Sequence, residues 1–117
     1  MITLPNVESH MIANNLQPNH ATHPGDLLKE EIEYRGLSQR ALAKEMGVNY
    51  SVLNEILNCK RPLSAEYAML LAEALQLDAE PLLNMQTRYD MVSIRQKPTF
   101  ISRLRKLAEI NRVAVIL

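Results

Sequence analysis

One stretch restricts the fold more than any other: Gly36 to Asn58, GLSQRALAKEMGVNYSVLNEILN. It holds two short helical patterns joined by Met46-Gly47-Val48. The first runs from Ser38 to Met46, with Leu42 and Met46 four apart on one face. The second runs from Asn49 to Asn58, with Val52, Leu53, Ile56 and Leu57 forming one apolar stripe. Gly47 falls where the chain must turn sharply, and without a Cβ it enters φ > 0 at little cost. Ala43 falls where the two helices would cross, and a larger side chain there would push them apart. Two short helices, a glycine turn and a small crossing residue are the pattern of a helix-turn-helix, a unit that reads DNA.

The punctuation on either side extends this pattern into a helical chain. Pro24 and Asp26 suit a first turn, so a helix opens at His23-Pro24-Gly25-Asp26, turns Leu28 and Ile32 inward with Leu27 beside them, and ends at Arg35-Gly36. Ser38 and Asn49 are expected N-caps of the next two helices. Pro62 forbids continuation of the third. Ser64 caps a fourth helix whose inward stripe is Ala65, Ala68, Met69, Ala72 and Leu75, widened by Leu70 and Leu71. A fifth starts at Asp78 or Ala79 with Pro81 in its first turn and carries Leu82, Leu83, Met85, Tyr89 and Val92 as apolar positions. After Pro98, Thr99 to Asn111 reads as a sixth, amphipathic helix, with Ile101, Leu104, Leu107 and Ala108 opposite Arg103, Arg105, Lys106 and Glu109. The last five residues, VAVIL, are wholly apolar, the one β-favouring run; such a tail is expected to be buried, in a dimer contact for instance. Residues 1–22 read as an irregular arm broken by Pro5, Pro18 and Asn14-Asn15. The expected architecture is all-α: a five-helix bundle over residues 23–95, preceded by an arm at 1–22 and followed by a dimerising helix and tail at 96–117.

Composition removes several classes of function. The 117 residues suffice for one domain with an appendage, and no apolar run approaches the ~20 residues that cross a bilayer. The first ten residues carry no basic group ahead of their apolar ones, unlike a secretory signal. A single cysteine, Cys59, is consistent with a reducing cytoplasm. Catalysis is not expected, because no Ser-His-Asp, Cys-His or paired-carboxylate arrangement stands out and all three histidines lie in the N-terminal part. His20 and His23 are three apart, a spacing open to a metal, but no cysteine or third histidine lies near, so a polar loop is the reading preferred and no metal or cofactor is expected. The small-residue reading of Cys59 is likewise preferred to that of a redox sensor.

Formal net charge is zero, which on its own argues against a DNA binder. The distribution matters more than the sum. Residues 1–34 hold one basic residue against five acidic; 35–61 hold five against two, and 95–112 hold six against one. Local patches of this kind are what attract phosphate. The acidic residues of the first helix, Glu30, Glu31 and Glu33, are read as a solvated face.

With its apolar stripe turned inward, the third helix must present Tyr50, Ser51, Asn54, Glu55 and Asn58 outward. Asn54 suits bidentate pairing with an adenine edge. Tyr50 suits sugar, a thymine methyl or a phosphate, and Ser51 is short and adaptable. Glu55 is repelled by phosphate; it either accepts from a cytosine amino group or pairs with a cation such as Lys44. Gln39 and Arg40 at the start of the second helix, and Lys60 and Arg61 just past the third, are expected phosphate contacts, and Lys44 is expected on the same DNA-binding surface.

These residues resemble the Cro/C1-type (XRE-like) helix-turn-helix family. The resemblance is carried by Leu37-Ser38-Gln39, Leu42-Ala43, Met46-Gly47-Val48, Leu53, Ile56 and Leu57. Three further segments are similar to HigA/VapI-type antitoxins: His23 to Glu31, Leu57 to Ser64, and Leu83 to Asp90, along with Ile12 to Leu16 in the arm. This resemblance implies a lambda repressor-like bundle whose third helix enters the major groove of double-stranded operator DNA, with Gln39, Asn49, Tyr50, Ser51 and Asn54 at the DNA-facing positions. It also implies a homodimer, a RelE-like mRNA-endonuclease toxin (HigB) that the chain neutralises, autorepression of the shared operon, and a bacterial cytoplasmic, nucleoid-associated location without membrane or small-molecule substrate. Two alternatives stay open: a stand-alone regulator without a toxin, and an interaction module that has lost DNA binding. Cys59 departs from the family pattern, which places glycine there, so either Asn58 takes the left-handed cap or the turn differs.

Overall fold

The computed structural model describes residues 20–116, with side chains through Arg112; the expected arm lies, up to residue 19, outside the described residues. Six helices and no strand occur among the described residues: α1 (Pro24–Tyr34), α2 (Gln39–Met46), α3 (Tyr50–Leu57), α4 (Ala65–Leu75), α5 (Ala79–Arg95) and α6 (Pro98–Ile116). Thr22–Tyr89 forms one compact unit, and the chain from Asp90 on falls in a second.

Caps set the starts of the helices in the first unit. Ser38 Oγ accepts from the Ala41 N–H at 3.2 Å, and Asn49 Oδ1 accepts from Ser51 and Val52 at 2.7 and 3.3 Å. Ser64 does the same for α4 through the Tyr67 N–H at 3.3 Å. Each bond satisfies an N–H that the helix cannot satisfy internally. Gly47 ends α2 with φ of 71°, the left-handed conformation its position demands.

The core gathers Leu28 and Ile32 of α1, Leu42 and Ala43 of α2, Leu53, Ile56 and Leu57 of α3, Ala68, Leu71 and Leu75 of α4, and Leu82 of α5, with Leu63 from the α3–α4 loop. Ala43 is 2% exposed, as a crossing residue must be. Leu71, expected at the edge of the stripe, is fully buried, whereas Met69, expected within it, is 65% exposed, and Ala65 is exposed as well. Helix α4 is apolar nearly all round, so periodicity alone did not orient it.

His23 corrects the reading of a polar loop. It is buried, and its Nδ1 accepts the Gly25 N–H at 2.9 Å, so the imidazole itself caps α1. The ring also lies edge-on to Tyr89 of α5, with centroids 4.9 Å apart. Gly25 is required by close approach: a Cβ there would come within 2.0 Å of the Ile56 carbonyl oxygen. From α5, the buried Gln86 accepts the Leu63 N–H at 2.8 Å. The His-Pro-Gly and Gln86–Tyr89 segments therefore lock the first and fifth helices onto the α3 end of the bundle.

In the second unit, α6 continues to Ile116, where the sequence suggested a helix ending at Asn111 and a separate β-favouring tail. No proline, glycine or cap intervenes to stop it. Burial of that tail lies outside the described side chains. Leu104, Leu107 and Ile110 are exposed along α6.

Candidate DNA-reading surface

The surface is built on two eight-residue helices, α2 and α3, held at the turn by Val48 N–H donating to Ala43 carbonyl at 3.0 Å and Gly47 N–H to Lys44 at 3.1 Å. Leu53, Ile56 and Leu57 fasten α3 to the core, with Val52 half-buried beside them. Tyr50, Ser51, Asn54, Glu55 and Asn58 occupy the remaining face, with Ser51 exposed and the other four half-buried.

The polar groups on this face are organised. Asn54 Nδ2 donates to Gln39 Oε1 at 3.1 Å, which ties the middle of α3 to the first residue of α2. Asn54 Oδ1 accepts from Asn58 Nδ2 at 3.1 Å, and Asn58 Oδ1 accepts from Lys29 Nζ at 3.0 Å. Gln39 is therefore joined to Asn54 side chain to side chain, more than the phosphate contact expected of it. The Arg40 guanidinium lies 4.1 Å from the centroid of the Tyr50 ring, a cation–π arrangement that holds both side chains at the start of α3. Asn49 has its oxygen committed to the cap and offers only its amide nitrogen outward.

Glu55 pairs with Arg61, not with Lys44: its Oε1 lies 2.7 Å from Nη2 and 2.9 Å from Nε. Arg61 follows α3 after the turn, which brings it back beside the carboxylate. The arrangement cancels the charge that made Glu55 awkward, and it engages the cation expected on phosphate. Lys44 and Lys60 remain as exposed cations.

The turn after α3 is made by Cys59, which adopts φ of 63° while Asn58 stays at −97°. Cys59 itself takes the left-handed position; Asn58 does not. Its Sγ donates to Asp26 Oδ1 at 3.2 Å. Burial, the hydrogen bond to Asp26 and that carboxylate's charge together push the thiol up to about 11. A thiol held protonated is a poor nucleophile and a poor redox sensor.

The sequence places Asn58 on this face but gives no sign of its bonds to Asn54 and Lys29; Lys29 lies on α1, and nothing local links it to α3. No helix among the described residues is long and apolar enough to cross a membrane, and no cluster of three metal-ligating side chains occurs among them.

Helix order, glycine turn and small crossing residue define the helix-turn-helix class, and a helix-turn-helix family model matches residues 28–82. Virulence-associated protein I of Dichelobacter nodosus is 43% identical over 77 residues, 65% of this chain and 71% of that protein. An addiction module antidote protein of the HigA family from Coxiella burnetii superposes with a TM-score of 0.64 at 30% identity, over 74% of this chain and 94% of that one. The Pseudomonas aeruginosa antitoxin HigA, solved with the higBA promoter, gives a TM-score of 0.62 at 27% identity, over 66% of this chain and 85% of that one. The chain belongs to the Cro/C1-type helix-turn-helix family, among its HigA- and VapI-like members.

Proposed function

We propose that this chain is a sequence-specific DNA-binding repressor and the antitoxin of a toxin–antitoxin module, binding its own operator as a homodimer and neutralising a RelE-like endonuclease toxin. The observation that carries the DNA reading is the joined polar face of α2 and α3: Gln39 and Asn54 linked to each other, Tyr50 held by Arg40, and Lys44 and Lys60 at the margin. Side chains fixed before binding lose less freedom on meeting a base edge than free ones do. Asn54 takes base contact, and Gln39, Arg40, Lys44, Asn49, Tyr50, Ser51, Lys60 and Arg61 complete the surface. The Glu55–Arg61 pair favours this reading over an interaction module that has lost DNA, because the carboxylate does not face phosphate unneutralised.

The antitoxin half draws on the relatives, two of which are named as a HigA-family antidote and a HigA antitoxin. The homodimer draws on α6, whose exposed Leu104, Leu107 and Ile110 suit a second copy. Duplexes selected by the full chain from a random library should converge on a two-fold sequence with half-sites about 34 Å apart. Co-expression with the product of the neighbouring gene should yield a complex that survives purification. A library that yields no consensus sinks the DNA half; a neighbour that never co-purifies sinks the toxin half.

A further inference from the structure

Lys29 lies on α1, outside the helix-turn-helix, yet it begins a run of hydrogen bonds that ends on the DNA-reading face. The donors all point one way: Lys29 Nζ to Asn58 Oδ1 at 3.0 Å, Asn58 Nδ2 to Asn54 Oδ1 at 3.1 Å, Asn54 Nδ2 to Gln39 Oε1 at 3.1 Å. We propose that Lys29 is a positioning residue for base reading: its ammonium fixes which way three carboxamides face, and so fixes where Asn54 and Gln39 present donors and acceptors to DNA. This rests on the reading of α3 as the DNA-reading helix.

A carboxamide has nearly the same shape after a half-turn that exchanges its oxygen and nitrogen. Three carboxamides in a row could therefore run in either direction with the same number of bonds among them. An ammonium carries three donors and no acceptor. Beside it, Asn58 must turn its oxygen inward and its nitrogen towards Asn54. Asn54 must then turn its oxygen to Asn58 and its nitrogen to Gln39, and the Gln39 amide nitrogen becomes the open end of the run among the described residues. Each amide nitrogen has a second hydrogen and each oxygen a second lone pair. Asn54 can therefore still engage a base while the run stays intact. An adenine edge offers an acceptor at N7 beside a donor at N6, so the direction of Asn54 decides which orientation of that edge fits. A cation on α1 thereby selects among base pairs it does not touch.

The test has one arm without DNA and one with it. In the first, the side-chain NH2 resonances of Asn58, Asn54 and Gln39 are followed by nitrogen-15 NMR in the full chain. Lys29→Met keeps the aliphatic stem and removes the charge. It should shift all three pairs, including that of Gln39 at the far end, whereas Lys60→Met as a control should not. Asn54 and Gln39 pairs that stay in place in Lys29→Met would overturn the proposal. In the second arm, affinities are measured for the duplex selected by the wild-type chain and for a scrambled duplex of the same length. Lys29→Met should reduce the preference for the selected duplex by about tenfold, the scale of a single base contact, with the scrambled affinity and its salt slope unchanged. Lys29→Arg, another donor-only cation, should restore the preference. If instead both affinities fall together and the slope drops by about one unit, Lys29 is a phosphate contact and the proposal is wrong. An unchanged preference overturns it equally. If the wild-type chain selects no sequence, the DNA reading fails and base positioning fails with it, while the first arm still decides whether the ammonium sets the run.

Discussion

Cys59 holds a backbone conformation that an L-residue enters only against a penalty of roughly 1–2 kcal/mol. Its gain is a hydrogen bond from Sγ to Asp26, which links the end of α3 to the start of α1. Glycine would remove the penalty and the bond together, and would add freedom to the unfolded chain. The balance should favour Cys59→Gly by about 0.5–1 kcal/mol in urea denaturation. A destabilised variant would show that the thiol bond outweighs the strain. The thiol's rise from 9.0 to about 11 sets the sign of its pH dependence. The fold favours the neutral thiol, so its contribution is complete below pH 9 and is lost as pH climbs through about 11. Alkylation by iodoacetamide at pH 8 should accordingly run about a hundredfold slower on the folded chain than on the unfolded one, since the thiolate is the reacting form. Equal rates would mean that neither the burial of the thiol nor its Asp26 contact holds in solution.

At eight residues each, α2 and α3 are too short to persist alone, so their caps and their packing carry them. Asn49 makes two cap bonds, and Asn49→Ala should lower stability by about 1 kcal/mol, while Asn49→Asp keeps the acceptor and the stability. Equal losses in both variants would assign Asn49 something other than a cap. Gln86 acts between elements: Gln86→Leu would strand the buried Leu63 N–H and should lower the midpoint of denaturation by the equivalent of about 1–3 kcal/mol. Little or no loss would mean that water takes over the Leu63 N–H. These two residues mark what the sequence could and could not reveal. Ser38, Asn49 and Ser64 were legible because a cap acts within three residues of itself. The inward faces of α1 and α3 were legible because polar residues interrupt their stripes; α4 has too few, and Met69, expected inward, faces out. Gln86 and Lys29 were illegible because their partners lie on other helices, as does the Tyr89 ring against His23; the cap that His23 makes is local, but histidine is not among the usual capping residues. Asn58 was placed on the right face, but its engagement with Lys29 and the fall of the left-handed turn on Cys59 show only in three dimensions.

A chain with no net charge must meet DNA through its local patch, and that patch has one carboxylate at its centre. Glu55 and Arg61 are both about half exposed, so their pair contributes at most about 1 kcal/mol to folding. Its larger effect should be on association. On the proposed surface, Arg61 held by Glu55 would be a weakened phosphate ligand; released, it would regain a full charge. Glu55→Gln preserves shape while removing that hold. The variant should bind selected and scrambled duplexes more tightly alike, with the salt dependence of binding steeper by about one unit per protomer. Stability should change by no more than about 1 kcal/mol, which separates the effect from any loss of fold. Arg61→Ala should do the reverse, weakening every duplex because it leaves the carboxylate facing phosphate. Fluorescence anisotropy across a salt series reads both variants. If Glu55→Gln instead loses affinity for the selected duplex and leaves the scrambled one unchanged, then Glu55 contacts a base, with a cytosine amino group as its partner. Under the first outcome the ion pair restrains non-specific binding and leaves discrimination to Asn54 and Gln39; under the second, Arg61 must let go of Glu55 each time the operator is read.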